Sequence, residues 1–231
     1  MLLQLMSTQS TSLSPGLDKL EKAAISRKPR QGRSLASFER MVAATRDLML
    51  ERGSEDFTLQ DVSDRGNVSI GSIYLRFESK DRLLYAVIAQ ELQSVVEEEA
   101  AMVRSVADKC SNLKQFLAIY IDDYTAFMGE HAGMLRVIMQ RAAIDPLVSA
   151  PGKETAYRAL AQTTEVMMSY RDEIRSENPR LKAEMTLYLI YAAVARQLAL
   201  GATPESEDPD VWVKLRPELA EMAYAYLKHS D

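Results

Sequence analysis

One cysteine, Cys110, is all that the 231 residues contain, so neither an intrachain disulfide nor a cysteine-based metal cluster can form. A reducing, cytoplasmic setting is the expected home for such a chain. Histidine is nearly as scarce: His131 and His229 stand far apart, and the neighbouring Asp122, Asp123 and Glu130 do not fall at a metal-ligand spacing, so no metal or other cofactor is expected. Long hydrophobic runs are missing too. The longest uncharged apolar stretch of the body, 185–195, is short of the roughly 20 residues a membrane span needs. The opening MLLQLM has no positive flank and no sustained apolar region, so it does not read as a signal peptide. There is no strand-like alternation, no fixed-period repeat, no glycine-rich phosphate loop and no nucleophile–base pair. The absence of a phosphate loop, a nucleophile–base pair and a metal cluster argues against an enzyme.

What the chain has instead is apolar spacing of helical period almost throughout, and a 47% hydrophobic fraction that is ample for a core. The expected class is all-α, with about nine helices. Phe38, Met41, Val42, Thr45, Leu48 and Met49 mark a helix over about 35–52, stopped by Gly53. Thr58 can cap a second through its hydroxyl, with Asp61 in the first turn, where the helix dipole favours negative charge. Gly66 and Asn67 suit a turn, because both tolerate the left-handed region. Ser69 then caps a short helix through Tyr74, and Ser79 caps a longer one. Leu59, Val62, Val68, Ile73 and Phe77 give this unit one apolar side, leaving Ile70, Gly71, Ser72, Tyr74 and Arg76 outside it.

Two short helices with a tight turn form a helix-turn-helix, whose second helix enters a DNA major groove. The run Val68, Ser69, Gly71, Tyr74, Phe77 and Lys80, with Phe57-Thr58 and Val62-Ser63 before it, resembles the signature of the tetracycline-repressor (TetR) family over about 37–84. The pair Gly66-Asn67 departs from the family's usual Ala-Gly, which shifts the turn glycine and leaves Asn67 in the strained position. The resemblance implies phosphate contacts from Ser69, Ser72, Tyr74 and Lys80, has Ile70, Gly71 and Arg76 face or approach the bases, and puts Thr58 among the DNA-binding residues. Hydroxyls suit phosphate, and an arginine can fork onto guanine or grip the backbone.

Charge divides along the chain. To Tyr85 there are 13 Lys and Arg against 11 Asp and Glu, and beyond it 15 against 22, so the overall −5 is borne by the C-terminal part. The expected domains are a mobile extension over 1–34, a helix-turn-helix unit over 35–84 and a helical body over 85–231. The extension turns basic at Arg27, Lys28, Arg30 and Arg33, and reads either as a solvated tail or as an arm following DNA.

In the body the spacing predicts a helix running to about 108, with Glu97-Glu98-Glu99 as a solvated face, then helices over about 113–128 and 133–144 with a break between them. A loop at Pro151-Gly152, a helix marked by Tyr157 to Ile174, a helix from Pro179 to about 200 stopped by Gly201, and a last helix opening at Asp208-Pro209 complete it. Pro217 predicts a kink or restart in that last helix.

Family members dimerise through their last two long helices, and the apolar faces here offer such a surface in Tyr188, Tyr191, Ala195, Leu198, Leu219, Met222 and Tyr226. The resemblance also implies a small-molecule pocket. Material for one exists in Phe116, Tyr120, Tyr124, Phe127, Met128, Met134, Ile138, Met139, Tyr157, Met167 and Met168, although such stripes equally serve as plain core. Arg136 and Arg141 could offer charge to an acidic ligand or simply be exposed. The expectation is a homodimeric, non-enzymatic repressor, released from a near-palindromic operator by a small effector. An activator, an effector-independent DNA binder and a helical scaffold are the alternatives.

Overall fold

The computed structural model describes residues 14–24, 32–200 and 209–230. Among them are nine α-helices and no strand: α1 (Pro15–Ala24), α2 (Arg33–Arg52), α3 (Leu59–Gly66), α4 (Ile70–Tyr74), α5 (Lys80–Lys109), α6 (Leu113–Ala142), α7 (Pro146–Met168), α8 (Pro179–Gln197) and α9 (Pro209–Lys228). A 3-10 turn, Arg171–Glu173, separates α7 from α8.

Helix starts follow local chemistry closely. The hydroxyls of Thr58, Ser69 and Ser79 each accept a backbone N–H of the first turn, and the side chains of Asn112, Asp145 and Asn178 do the same for α6, α7 and α8. Gly53 ends α2 with φ +58°. Asn67 ends α3 in the left-handed region, φ 48°, as the displaced turn glycine requires. Gly66 serves another purpose: a Cβ there would stand 3.1 Å from the Arg40 carbonyl oxygen and 3.3 Å from the Ala44 methyl. It is a close-approach residue between α3 and α2.

Four expectations about segments need correction. Within 1–34, residues 15–24 form a docked helix rather than part of a mobile extension, since Leu17, Leu20 and Ala24 are buried against α5 and α7. The Gly16 N–H donates to Glu154 Oε2 at 2.8 Å, and Arg82 Nη1 donates to the Ala23 carbonyl. The break at 129–133 is absent, and α6 is one helix of 30 residues. Two interior glycines cost roughly 1 kcal/mol each, which burial of Met128, Ala132, Met134 and Val137 offsets. Gly133 also leaves room for Leu50 of α2, whose Cδ2 would lie 3.2 Å from a Cβ. The loop at Pro151-Gly152 is helical as well: Asp145 and Pro146 start α7 early, and Pro151 is buried where α1 crosses. Of the kink or restart expected at Pro217, the restart is absent, since α9 runs uninterrupted through it. The stop at Gly201, the cap at Asp208 and the basic residues Arg27, Lys28 and Arg30 lie outside the described residues.

Two apolar cores result. One joins α1 to α4 and the first half of α5 to Met134, Val137, Ile138 and Val148 of the body, with Phe38 stacked on Phe77 at 5.8 Å. The other fills the space between the second half of α5 and α6 to α9. Helix α5 runs through both, so the expected boundary at 84/85 is crossed by continuous packing.

Candidate functional site

The short helix α4 is held by burial of Ile73 beneath it and by its Ser69 cap. Its outer side carries Ser69, Gly71 and Tyr74 exposed, Tyr74 at 59%, with Ser72 half-buried and its hydroxyl 2.7 Å from that of Ser69. A Cβ on Gly71 would meet nothing within 4 Å, so a surface can approach the backbone there. Thr58, exposed at the start of α3, is occupied with its own cap: its N–H donates to Asp61 Oδ2 at 2.8 Å while its Oγ1 accepts from Asp61 N at 3.1 Å. Leu75, 63% exposed beside Tyr74, is an apolar part of this face that spacing arguments missed.

Three of the expected contact residues sit differently. Ile70 is half-buried against the core rather than free of it. Arg76 turns back toward α2, its Nη2 donating to Ser34 Oγ at 3.3 Å while its buried Nε has no partner. Lys80 donates to the Glu55 carbonyl and lies 4.4 Å from the centroid of the Phe57 ring. Both cations hold the unit together from underneath. Arg76 lies two residues beyond the end of α4, and its contact with Ser34 takes its side chain away from the outer side of that helix.

Where this unit meets the body, Arg141 at the end of α6 is the hub. Its guanidinium reaches Glu55 at 3.0 Å, Asp81 at 2.9 Å and Asp145 at 3.0 Å, and its side chain is only 14% exposed. The Tyr85 hydroxyl donates to Asp145 at 2.7 Å, and the Tyr85 ring lies 5.6 Å from the guanidinium carbon. Burial lowers the Arg141 pKa, but hydrogen bonds to Tyr85, Asp145 and Asp81 and the charge of Glu55 outweigh it and raise it overall. Arg141 thus fits neither the ligand-facing nor the exposed alternative. Arg136 donates to the Leu198 carbonyl at 2.9 Å.

Inside the body lies a cavity of about 480 Å³ between α5, α6, α7 and α8. Of the expected pocket residues, Tyr120, Tyr124, Met128, Ile138, Met139 and Tyr157 line it. Phe116, Phe127 and Met167 are buried in the second core, with Met168 partly buried against it, and Met134 belongs to the first core. They face other neighbours because each helix turns only one side to the cavity. Tyr120 and Tyr124 stack at 5.3 Å, and burial pushes both phenols well above their ordinary range.

Glu99 lines the same cavity. It is 9% exposed and burial alone pushes its carboxyl up to about 7, so the solvated reading of 97–99 fails at this residue. A signal was present. The spacing of Leu92, Val95, Glu99, Val103 and Val106 sets Glu99 on the buried stripe of α5, whereas Glu97 and Glu98 are exposed. Glu98 instead pairs with His131 at 3.2 Å.

The body's far side is less covered than the run 185–195 suggested. Tyr188 and Tyr191 of α8, which also line the cavity, and Met222 and Tyr226 of α9 are exposed, along with Leu181, Met185, Leu189 and Val213. Ala195 is buried within the chain, while Leu198 and Leu219 are half-buried. Helix α8 is therefore apolar on two sides but covered on one. Among the described residues no helix is long and apolar enough to cross a membrane, and no cluster of metal-ligating side chains is found.

Comparison with known proteins agrees with this architecture. Residues 41–87 match the model of the family described as bacterial regulatory proteins, tetR family. A solved structure described as a TetR-family transcriptional regulator from Mesorhizobium loti superposes with a TM-score of 0.65 at 17% identity, over 86% of this chain and 96% of that one. The fatty acid degradation regulator FadR from Bacillus halodurans gives 0.57 at 14%, over 87% and 99%. A TetR-like transcriptional regulator from a Rhodococcus species gives 0.55 at 20%, over 85% and 99%. At such identities the likeness is one of fold. No curated protein matches the sequence.

Proposed function

We propose that this chain, with a TetR-family domain over 41–87 inside a TetR fold, is a homodimeric DNA-binding repressor that a small molecule in the body cavity releases from its operator. The observation that carries the reading is the outward side of α4, where Ser69, Gly71, Ser72 and Tyr74 stand free of the core on a unit rigidly capped at both neighbouring helices. Hydroxyls and a phenol at that place suit phosphate and sugar, and an exposed Leu75 suits an apolar base edge.

The uncovered apolar sides of α8 and α9 support dimerisation through Tyr188, Tyr191, Met222 and Tyr226, since an exposed patch of this kind marks an interaction surface. A two-fold dimer would present two copies of α4 about 34–36 Å apart to successive major grooves, hence a near-palindromic operator. The cytoplasm is where such a dimer would meet DNA.

Release requires a ligand that binds one arrangement of the DNA units better than the other, by several kcal/mol if it is to be near complete. Arg141 supplies a route. Its neighbours Met139 and Ala142 line the cavity, while its own carboxylate partners include Glu55 in the turn before α3.

The test is selection of duplexes from a random pool by the purified protein, followed by measurement of mass by sedimentation. A dimer enriching a near-palindrome is expected, with Tyr74→Ala weakening the selected duplex about ten-fold while melting like the native protein, and Ser69→Ala weakening it about ten-fold with the additional loss of about 1 kcal/mol of stability that removing the α4 cap entails. No enrichment, or native affinity in both variants, would overturn the assignment. Arg76→Ala, with its side chain turned to Ser34, is expected to reduce stability without relaxing choice at any one base.

A further inference from the structure

The cavity is lined by one acid, Glu99, and one base, Lys153, and the two form no ion pair. Glu99 projects from α5 among the aromatic rings of Tyr120 and Tyr124 on α6 and Tyr191 on α8, with the Thr163 hydroxyl of α7 beside Tyr120. Among the described residues nothing donates a hydrogen bond to the Glu99 carboxyl or pairs with its charge, and burial is the whole cause of its raised pKa, about 7. Lys153 borders the cavity from α7, but it is exposed and forms no ion pair with Glu99.

A buried carboxyl without a partner is costly, and the protein avoids part of that cost by keeping it protonated near neutrality. Three kinds of ligand can be compared against it. A second carboxylate brought to this place would repel Glu99 and force one of the two to stay neutral. A wholly apolar ligand would displace water from the carboxyl and leave it unsatisfied. A protonated amine would supply the missing donor and the missing charge together, in a site walled by tyrosine faces that attract cations.

We propose that the cavity selects a cationic amphiphile, an amine whose ammonium group pairs with the Glu99 carboxylate while its apolar remainder fills the volume between α6 and α7. The volume of about 480 Å³ is that of a small-molecule site. The inference rests on the effector reading above and names the chemical class of that effector. Pairing carries a proton count: below neutrality the Glu99 carboxyl gives its proton to solvent as the ammonium, already charged, takes its place. The amine itself gains and loses none.

The experiment uses the full-length protein and three probes of one skeleton, n-decylamine, n-decanol and decanoate, titrated calorimetrically. At pH 8 the amine is expected to bind at least ten-fold more tightly than either other probe, and Glu99→Gln to erase that preference. At pH 6, repeating the amine titration in buffers of different ionisation enthalpy is expected to show release of close to one proton per amine by the native protein and none by Glu99→Gln. The proton count needs only the native protein, so it stands even if the variant fails to fold. Equal affinity for all three probes, tighter binding of decanoate, or an amine preference that survives in Glu99→Gln overturns the inference. So does the absence of saturable binding by all three. The DNA-binding assignment is read separately, from duplex selection without any probe.

Discussion

Replacing Arg141 by Met tests the junction between the α4 unit and the body most directly. Methionine keeps an apolar stem against the Tyr85 ring and removes only the fork. Three carboxylates then lose a cation: Glu55, whose side chain is 24% exposed, Asp145 at 13%, and Asp81 at 57%. An ion pair at an exposed residue such as Asp81 contributes at most about 1 kcal/mol, while removing one partner of a buried pair costs roughly 3–5 kcal/mol. Glu55 and Asp145 lie between those limits. The expected loss is therefore about 2–4 kcal/mol, read from urea denaturation at pH 7.

The pH dependence of that loss has a definite sign. Burial raises the Asp145 pKa, but hydrogen bonds from Tyr85, the Leu147 N–H and Arg141 together hold it below its ordinary 3.8. A depressed carboxyl stabilises the fold above its unfolded value and ceases to do so as pH falls through the folded one. The gap between native and variant should thus shrink below pH 3.8. Backbone hydrogen exchange over 53–58 should quicken at neutral pH, since Glu55 is anchored there by Arg141 and its carbonyl receives Lys80. Arg141→Lys should recover less than half of the loss, because a point charge cannot reach three acceptors at fork geometry. A variant within 0.5 kcal/mol of native, with unchanged exchange over 53–58, would refute the claim that this cluster joins the two parts; that threshold is about the scatter of neutral surface changes.

Further outcomes are expected elsewhere. Leu20→Ala should cost about 2–5 kcal/mol in chemical denaturation, the range for a buried leucine, because Leu20 is fully buried in α1; a loss below about 0.5 kcal/mol would show α1 to be dispensable. Gly66→Ala should cost about 1–3 kcal/mol through overpacking against Arg40 and Ala44. At the next position Asn67→Gly should be close to neutral while Asn67→Ala costs about 1 kcal/mol; equal melting of all three proteins would remove the strain argument. For Glu99 the folded pKa is raised, so its contribution is fully present below 4.5 and is lost as pH rises toward about 7. Stability of the native protein should fall by about 3 kcal/mol across that window, and Glu99→Gln should remove this component. A native pH profile matching that of Glu99→Gln would place the carboxyl in solvent.

Sequence alone determined the helical class and the starts of α3, α4, α5, α6 and α8, because caps are local, whereas α1 and the early start of α7 at Pro146 were not legible. A hydroxyl or carboxamide at Thr58, Ser69, Ser79, Asn112 or Asn178 satisfies amides only two or three residues away, and no distant contact is needed to recognise it. The helix-turn-helix was legible for the same reason, down to the left-handed Asn67. Where helices continue was not legible. Gly129, Gly133, Pro151 and Pro217 are local breakers, yet α6, α7 and α9 run through them, and at Gly133 and Pro151 the helix meets α2 and α1. Packing energy there exceeds the few kcal/mol that propensity opposes.

Function divides in the same way. The outer side of α4 could be read from residue types, but the fates of Arg76 and Lys80 depend on Ser34 and Glu55, some 42 and 25 residues earlier. Glu99 stood on the apolar stripe of α5, which spacing could show, but neither it nor Arg141 carried a motif that named a role. One became the acid of a cavity and the other the link between two cores only when helices distant in sequence closed around them. A charge acquires a role from the dielectric and the partners that tertiary structure assembles, and neither is written in its immediate neighbours.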